Sequence, residues 1–387
     1  MFRSSRTAVA LLTALVVLLL VPAHGSAGAA PPADLPAQGT LLPAGAPPPP
    51  PVDAASWLVA DVDTGEVLAA HNPRTPLPPA STLKLLTLLA LAPGLDRNAT
   101  WTAVHEDAAI DGSKVGLVPD SVYTVDDLLH GMMLGSGNDA AHALAGLVGG
   151  MGEATARMQR TADQLGARDT VVRNTSGLDA EGQVSTAVDL AVIGRAVLAD
   201  PELAEIVRTT RYAFPGAGTA VGAGRATFEI ANKNRLLYGY EGALGLKNGY
   251  TTASRSSFVG AVERDGRRYL VSMLRVEGSA SAQTRQLLDW AIANGVAVQP
   301  VGSLPDGPEA QPEPPAAAAA PAEDLAAPVP VPLPASREPA VPAWVATLLV
   351  VIGMLLAAAV VLRVRVLLTR RRPSGGAAAR RVVDWDA

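Results

Sequence analysis

Cysteine is absent from the 387 residues, which excludes disulfides, thiolate metal sites and a cysteine nucleophile and leaves the redox compartment undetermined. Histidine is scarce. His24, His71, His105, His130 and His142 show no HExxH or other ligand spacing, so no catalytic metal and no cofactor is expected. There is no basic stripe with interleaved aromatic residues, which speaks against a nucleic-acid partner, and the formal charge of −5 is ordinary for a soluble surface. Lysine is nearly missing too: of 31 basic residues only Lys84, Lys114, Lys233 and Lys247 are lysines. Arginine stays charged in any surroundings, whereas a lysine amine can be driven neutral by burial or by a neighbouring cation. Where lysine persists in such a chain, titratability is a reason for it.

The two ends of the chain speak to its compartment. Residues 1–30 carry Arg3 and Arg6, the apolar run AVALLTALVVLLLV and then small residues ending in SAGAA, the pattern of a secretory signal cleaved near Ala27–Ala30. Its arginines are not paired, which favours general secretion over the twin-arginine route. Residues 341–362 (VPAWVATLLVVIGMLLAAAVVL) carry no charge, and about 22 residues at about 1.5 Å each make about 33 Å of helix, enough to span a bilayer. Arg363, Arg365, Arg370, Arg371 and Arg372 follow at once, and positive charge marks the cytoplasmic side. The expectation is a single-pass protein of the cell membrane, with its body outside and the basic tail 363–387 in the cytoplasm. A buried core helix is the alternative for 341–362, but its Pro-rich and Arg-rich flanks offer no domain to bury it.

Two Pro-rich segments bracket the remainder: 31–52, with the run PPPPPV, and a Pro/Ala-rich spacer over 303–340. Such composition favours extended polyproline conformations over a packed core. The folded domain is therefore expected over 53–299. WLVADVDTGEVLAAH reads as a hairpin about the turn DTG, and SSFVGAVERDGRRYLVSMLRV as a second one about DG. A helix-like run starts at Ser81, TVDDLLHGMMLGSGNDAAHALAGLV reads as a helical pair broken at 135–138, MGEATARMQRTADQLGA as a helix ending at Gly166, and SASAQTRQLLDWAIANG as an amphipathic helix. Strands at both ends with helices between imply one mixed sheet closed by the two chain halves.

Three short motifs carry chemistry. In PPASTLKLLTLLA, Ser81 lies three residues before Lys84; on a helix start they share a face, and the serine oxygen lies in the positive field of the N-terminus. A serine hydroxyl is a poor nucleophile until a base takes its proton, and an adjacent neutral amine can do so. In LGSGNDAA, Ser136 and Asn138 sit on a short break, where a hydroxyl can relay a proton and a carboxamide hold a peptide bond; an ordinary N-cap for the following helix is the alternative. In GLKNGYTTAS, Gly249 lets the backbone approach a ligand, and Lys247 can anchor a carboxylate while lowering the pKa of Lys84. A basic turn before a strand is the plainer reading of that segment.

Taken together, SxxK, SxN and KxG in this order resemble the penicillin-binding and serine β-lactamase superfamily, and within it the low-molecular-mass D-alanyl-D-alanine carboxypeptidases. The resemblance runs through DVDTGEVLAAHN, PASTLKLLT, GLVPDSVYTVDDLLHGMMLGSGNDAA, ADQLGARDTVVRNTSGL, STAVDLA and NKNRLL. It implies a mixed α/β (α+β) fold of the serine β-lactamase/DD-peptidase type, an antiparallel sheet packed by helices with a helical subdomain. It also implies a serine-type carboxypeptidase that removes the terminal D-alanine from peptidoglycan stem peptides, with β-lactam antibiotics as covalent inhibitors. Ser81 would be the nucleophile, Lys84 the base and Ser136 the proton relay. Asn138, Lys247, Asn248, Gly249, Tyr250 and Thr251 would bind substrate, and the backbone N–H groups of Ser81 and Tyr250 would form the oxyanion hole. The third motif departs from the family's usual KTG in having Asn248, and no β-domain follows Gly295. A β-lactamase is a rival reading, but no ExxLN-like segment lies between the second and third motifs. A cross-bridge endopeptidase is another. A catalytically silent wall scaffold is the rival from a different class, opposed by the presence of Ser81, Lys84 and Ser136.

Overall fold

The computed structural model describes residues 35–305 apart from Gly45 and Ala223. The expected signal segment 1–30, the membrane helix 341–362, the tail 363–387 and nearly all of the 303–340 spacer lie outside the described residues. Among the described residues no helix is long and apolar enough to cross a membrane.

In chain order the strands are β1 (Thr40–Leu41), β2 (Ala54–Asp61), β3 (Glu66–His71), β4 (Thr100–Thr102), β5 (Val122–Thr124), β6 (Arg211–Pro215), β7 (Thr227–Ala231), β8 (Ala243–Thr251), β9 (Arg255–Arg264), β10 (Arg267–Val276) and β11 (Gly302–Ser303). The helices are α1 (Lys84–Leu91), α2 (His105–Ala109), α3 (Val125–Leu134), α4 (Asn138–Leu147), α5 (Met151–Gln164), α6 (Ala187–Ala199), α7 (Pro201–Arg208) and α8 (Ala280–Asn294). The main sheet runs β1-β3-β2-β10-β9-β8, with β11 also on β3. Its pairings are all antiparallel, so the sheet is not mixed; the chain halves meet where β10 lies against β2 with Val271 opposite Val59.

Both expected hairpins form, for the reasons their turns suggest. Asp61 Oδ1 accepts the N–H groups of Asp63 and Thr64 at 2.9 and 3.0 Å and closes the β2–β3 turn. Asp265 and Gly266 take φ of 52° and 73°, the left-handed pair whose twist suits a two-residue hairpin. The period of two along the central strands divides the core. Trp57, Val59, Val271 and Met273 pack with Leu287, Leu288 and Ala291 of α8, while Leu58, Ala60, Leu270 and Leu274 join the larger cluster formed with α1 and α3–α7.

The folded part reaches beyond 53–299 at both ends. In the Pro-rich stretch 31–52, Leu35 is buried, β1 adds to the sheet edge with Thr40 opposite His71, and the Pro47 carbonyl accepts a hydrogen bond from Trp290 Nε1 at 2.8 Å. A segment too poor in apolar residues for its own core can still add a short strand to an existing edge. At the other end β11 pairs with β3 and Leu304 is buried. The run after Pro79 also differs from a plain helix start: Ala80–Leu83 form a 3-10 turn, and the α-helix begins only at Lys84.

One buried carboxyl holds the loop behind the site. Asp189, in the first turn of α6, accepts Thr170 Oγ1 at 2.7 Å and the Asp169 N–H at 2.9 Å through Oδ2, while its buried Oδ1 has no partner. Burial pushes this carboxyl up to about 6. The folded state therefore keeps a proton between about pH 4 and 6 that the unfolded chain releases. That contribution to stability is complete below the unfolded pKa and is lost as pH rises to about 6. Asp189→Asn, which cannot ionise, is expected to flatten this part of the profile. Between pH 4 and 7 the urea-unfolding free energy of the wild type relative to the variant should fall by roughly 1–3 kcal/mol, and parallel pH profiles would contradict it.

Candidate active site

Ser81 stands in the 3-10 turn and Lys84 opens α1. At three residues per turn their side chains superpose, and Lys84 Nζ lies 3.1 Å from Ser81 Oγ. The amine also donates to Asn138 Oδ1 and to the Ser176 carbonyl, each at 2.6 Å. All three acceptors are neutral, and the lysine is completely buried. Burial holds its pKa well below the ordinary lysine value, with the charges of Lys247 and then Lys233 acting in the same direction and Asp139 opposing.

Two glycines let neighbouring backbone close on this turn. A Cβ on Gly177, whose φ is +80°, would sit 1.9 Å from the Ala80 carbonyl oxygen; one on Gly249 would sit 2.6 Å from the Ser81 nitrogen. Neither separation is sterically allowed, so both positions exclude a side chain. The Gly177 contact brings the loop carrying the Ser176 carbonyl against the serine turn, and the Gly249 contact seats β8 against it from the other motif.

The break between α3 and α4 spans 135–137. Ser136 is buried with φ of 57°, an uncommon conformation for a residue with a side chain. The N-cap of α4 is Gly137, with no side-chain hydrogen bond, so neither Ser136 nor Asn138 serves as the helix cap. Asn138 is held on three sides instead. Its N–H donates to the Ser113 carbonyl and its Nδ2 to the Asp111 carbonyl, both at 2.7 Å, while Oδ1 accepts from Lys84. An amide nitrogen carries two hydrogens, and one remains for a ligand.

Sequence reasoning passed over Asp139. This fully buried carboxylate accepts the N–H groups of Val115, Gly116 and Leu117 at 2.8–3.0 Å, and that of Ala140. It fastens the loop whose carbonyls orient Asn138. An acidic residue in the first turn after SxN was the available signal. Lys233 was passed over as well, apart from its place in NKNRLL. Its Nζ donates to Ser113 Oγ at 3.3 Å and its N–H to the Leu134 carbonyl at 3.1 Å. The scarcity of lysine marked it: Lys84, Lys233 and Lys247 are coupled electrostatically, and Lys114 donates to the Ala108 carbonyl beside the same loop.

On β8, Lys247 is buried and donates to the Asn248 carbonyl at 2.8 Å, with Asn248 Oδ1 at 3.5 Å. Burial, and after it the charge of Lys233, lowers its pKa to about 7. Tyr250 is exposed. Thr251, expected among the substrate-binding residues, is engaged within the protein: Oγ1 donates to Asp179 Oδ1 at 2.8 Å and lies 2.7 Å from Ser254 Oγ, which ties the end of β8 to the loop after Gly177. Among the described residues no group of three or more His, Asp or Glu side chains is placed to hold a metal ion.

The arrangement is a serine beside a buried amine whose proton is weakly held, with backbone N–H groups and cations around it. Such a set is suited to nucleophilic acyl transfer. Comparison with known proteins agrees. The family model for D-alanyl-D-alanine carboxypeptidase matches residues 44–277. D-alanyl-D-alanine carboxypeptidase DacB2 of Mycobacterium tuberculosis is 41% identical over 278 residues, which is 69% of this chain and 92% of that protein. DacF of Bacillus subtilis, a D-alanyl-D-alanine carboxypeptidase, is 29% identical over 62% of each chain. Among solved structures, the D-alanyl-D-alanine carboxypeptidase of M. tuberculosis H37Rv superposes with a TM-score of 0.64 at 39% identity, covering 68% of this chain and all of that one. The Streptomyces K15 DD-transpeptidase shares the fold, with a TM-score of 0.60 at 24% identity over 63% of this chain and 99% of its own. With the serine–lysine pair at its centre and the family match spanning most of the described residues, this chain belongs to the D-alanyl-D-alanine carboxypeptidase family and is a serine-type D-Ala-D-Ala carboxypeptidase.

Proposed function

We propose that Ser81 is the nucleophile and Lys84 its base in the removal of the terminal D-alanine from peptidoglycan stem peptides. The observation that carries this reading is the state of Lys84. It is fully buried, 3.1 Å from Ser81 Oγ, hydrogen-bonded only to neutral acceptors and subject to two other lysine charges. A neutral amine has a lone pair for the serine proton, and these surroundings favour the neutral form.

Ser81 Oγ attacks the carbonyl carbon of the penultimate D-alanine as its proton passes to Lys84. The N–H groups of Ser81 and Tyr250 receive the oxygen that gains charge. The C–N bond then breaks, and the leaving amine takes the proton from Lys84 through the Ser136 hydroxyl. Water next adds to the ester carbonyl with Lys84 again accepting a proton, and as the C–O bond to Ser81 breaks Lys84 returns that proton to Ser81 Oγ, releasing the shortened peptide and restoring the neutral amine. Asn138 holds the acyl side through its remaining amide hydrogen. Lys247 faces the terminal carboxylate, and Asn248, whose Oδ1 is directed toward Lys247, offers that carboxylate its amide donors from a side chain in the place of the usual threonine. Gly249 keeps the strand close to Ser81; Thr251 secures the rim. A β-lactam is expected to acylate Ser81 by the same attack, with the leaving amine still tethered.

We further propose that the domain works outside the cell, joined by the part of the 303–340 spacer beyond the folded residues 303–305 to a membrane helix at 341–362. Protease added to spheroplasts is then expected to release the folded domain by cutting in the Pro/Ala-rich sequence after residue 305, a composition poor in groups that could form a core. A reporter fused at Ala387 that is active only outside the cell would contradict this topology.

Two further outcomes test the chemistry. Ser81→Ala is expected to abolish both covalent labelling by a fluorescent penicillin and D-alanine release while retaining the wild-type melting curve. Lys84→Arg should lower the acylation rate at least about 10²–10⁴-fold, the usual worth of a general base, because a guanidinium cannot take the proton. An active arginine variant would overturn the role of Lys84.

The pH dependence follows from the direction of the shifts. Acylation requires neutral Lys84, so its rate rises with pH through that lowered pKa. Lys247→Gln removes a cation that lowers it, and the acid limb of the penicillin acylation profile is expected to move to higher pH. An unmoved limb in a folded variant would show that Lys247 does not act on Lys84.

A further inference from the structure

Lys233 belongs to two neighbourhoods at once. Its amine reaches Ser113 on the loop that orients Asn138, and the same residue lines a groove of about 610 Å³ together with Arg211, Ala231, Asn232, Arg235 and Tyr238. Three of these six side chains are cationic; Arg211 is paired with the exposed Glu229, and the buried Asp139 carboxylate acts on Lys233 from behind the groove. The walls are tied to the backbone by hydrogen bonds. Asn232 Nδ2 donates to the Thr209 carbonyl at 2.9 Å and its Oδ1 accepts the Asn234 N–H at 2.9 Å; Tyr238 donates to the carbonyls of Thr210 and Asn232 at 3.0 and 3.1 Å. A hydrogen-bonded wall with cationic side chains at its surface suits an anion rather than an apolar ligand, and the guanidinium fork of arginine matches a planar carboxylate.

We propose that this groove is a subsite for a carboxylate carried by the peptide substrate on the N-terminal side of the scissile bond, a proposal that rests on the Ser81–Lys84 reading above. The acyl side is indicated by connectivity. Asn138 holds that side of the substrate, and Lys233 contacts the loop that holds Asn138, whereas the terminal carboxylate is met by Lys247 inside the site. Burial lowers the pKa of the Lys233 amine, with Asp139 opposing, and a bound carboxylate would favour its protonated form further. The site would then read the charge of the stem peptide, favouring peptides that keep a free carboxylate ahead of D-Ala-D-Ala over amidated ones.

The test uses acylated peptides ending in D-Ala-D-Ala that are identical except for glutamate or glutamine at the two positions preceding it. For the wild-type chain at low salt, kcat/KM is expected to favour the glutamate peptides by about tenfold, mainly through KM, with the preference shrinking at high ionic strength. The double variant Arg211→Gln/Arg235→Gln is expected to reduce the preference to less than about twofold while turning over the glutamine peptides as before, the loss of exposed guanidinium groups being mild for the fold. Calorimetric binding of both peptides to Ser81→Ala reads the groove without catalysis. Equal affinity there, or a preference that survives in the double variant, overturns the subsite. Absence of penicillin labelling in the wild type would instead overturn the catalytic reading, and the calorimetric comparison would still decide the groove. Inorganic phosphate that competes with the glutamate peptide more strongly than free glutamate does would show the groove to prefer phosphate and would likewise overturn the proposal.

Discussion

The site depends on the burial of one amine. Lys84 has lost its water entirely and is given three neutral acceptors and no carboxylate in return. Removing an ammonium group from water is costly unless a counter-charge compensates, and here the cationic neighbours Lys247 and Lys233 add to the cost of charge. The pKa of this amine is accordingly lowered well below the ordinary lysine value, with Asp139 alone acting the other way. A lysine at this point is therefore chemically distinct from an arginine, which would remain charged and leave the cost unmet.

Much of the surrounding structure serves to hold that amine's neighbours in place. Asp139 gathers the N–H groups of residues 115–117; the fastened loop presents the Asp111 and Ser113 carbonyls to Asn138, and Asn138 in turn meets Lys84. On the other side, the Ser176 carbonyl arrives on a segment pressed onto Ala80 through Gly177, and that segment is linked through Thr170 and Asp169 to the buried Asp189 of α6. Two buried carboxyl groups thus fix loops by accepting backbone N–H groups. Neither touches Ser81.

Legibility was uneven, for reasons that can be traced residue by residue. The hairpins at Asp61–Glu66 and Asp265–Gly266 were readable because their turn chemistry is local, and α8 because its apolar period is local too. Residues 35–47 were misjudged. Composition describes what a segment can bury by itself, and it is silent about an edge strand and a Trp290 donor supplied by residues far along the chain. Asp139 and Asp189 were not singled out, since a carboxylate's partners here are backbone groups that any sequence possesses.

By itself the sequence determined which residue types were present and how they were spaced. With three residues from Ser81 to Lys84, the pair meets in any helical turn, and the near absence of lysine marked all four lysines, of which the motifs singled out Lys84 and Lys247. Only the tertiary structure decided that residues 84, 138, 176 and 247 share one environment, because their separations along the chain carry no distance in space until β10 joins β2 and β8 closes on the serine turn. It also set the direction in which the pKa of Lys84 moves. A pKa is set by burial and by neighbouring charge, and neither exists before the chain is folded.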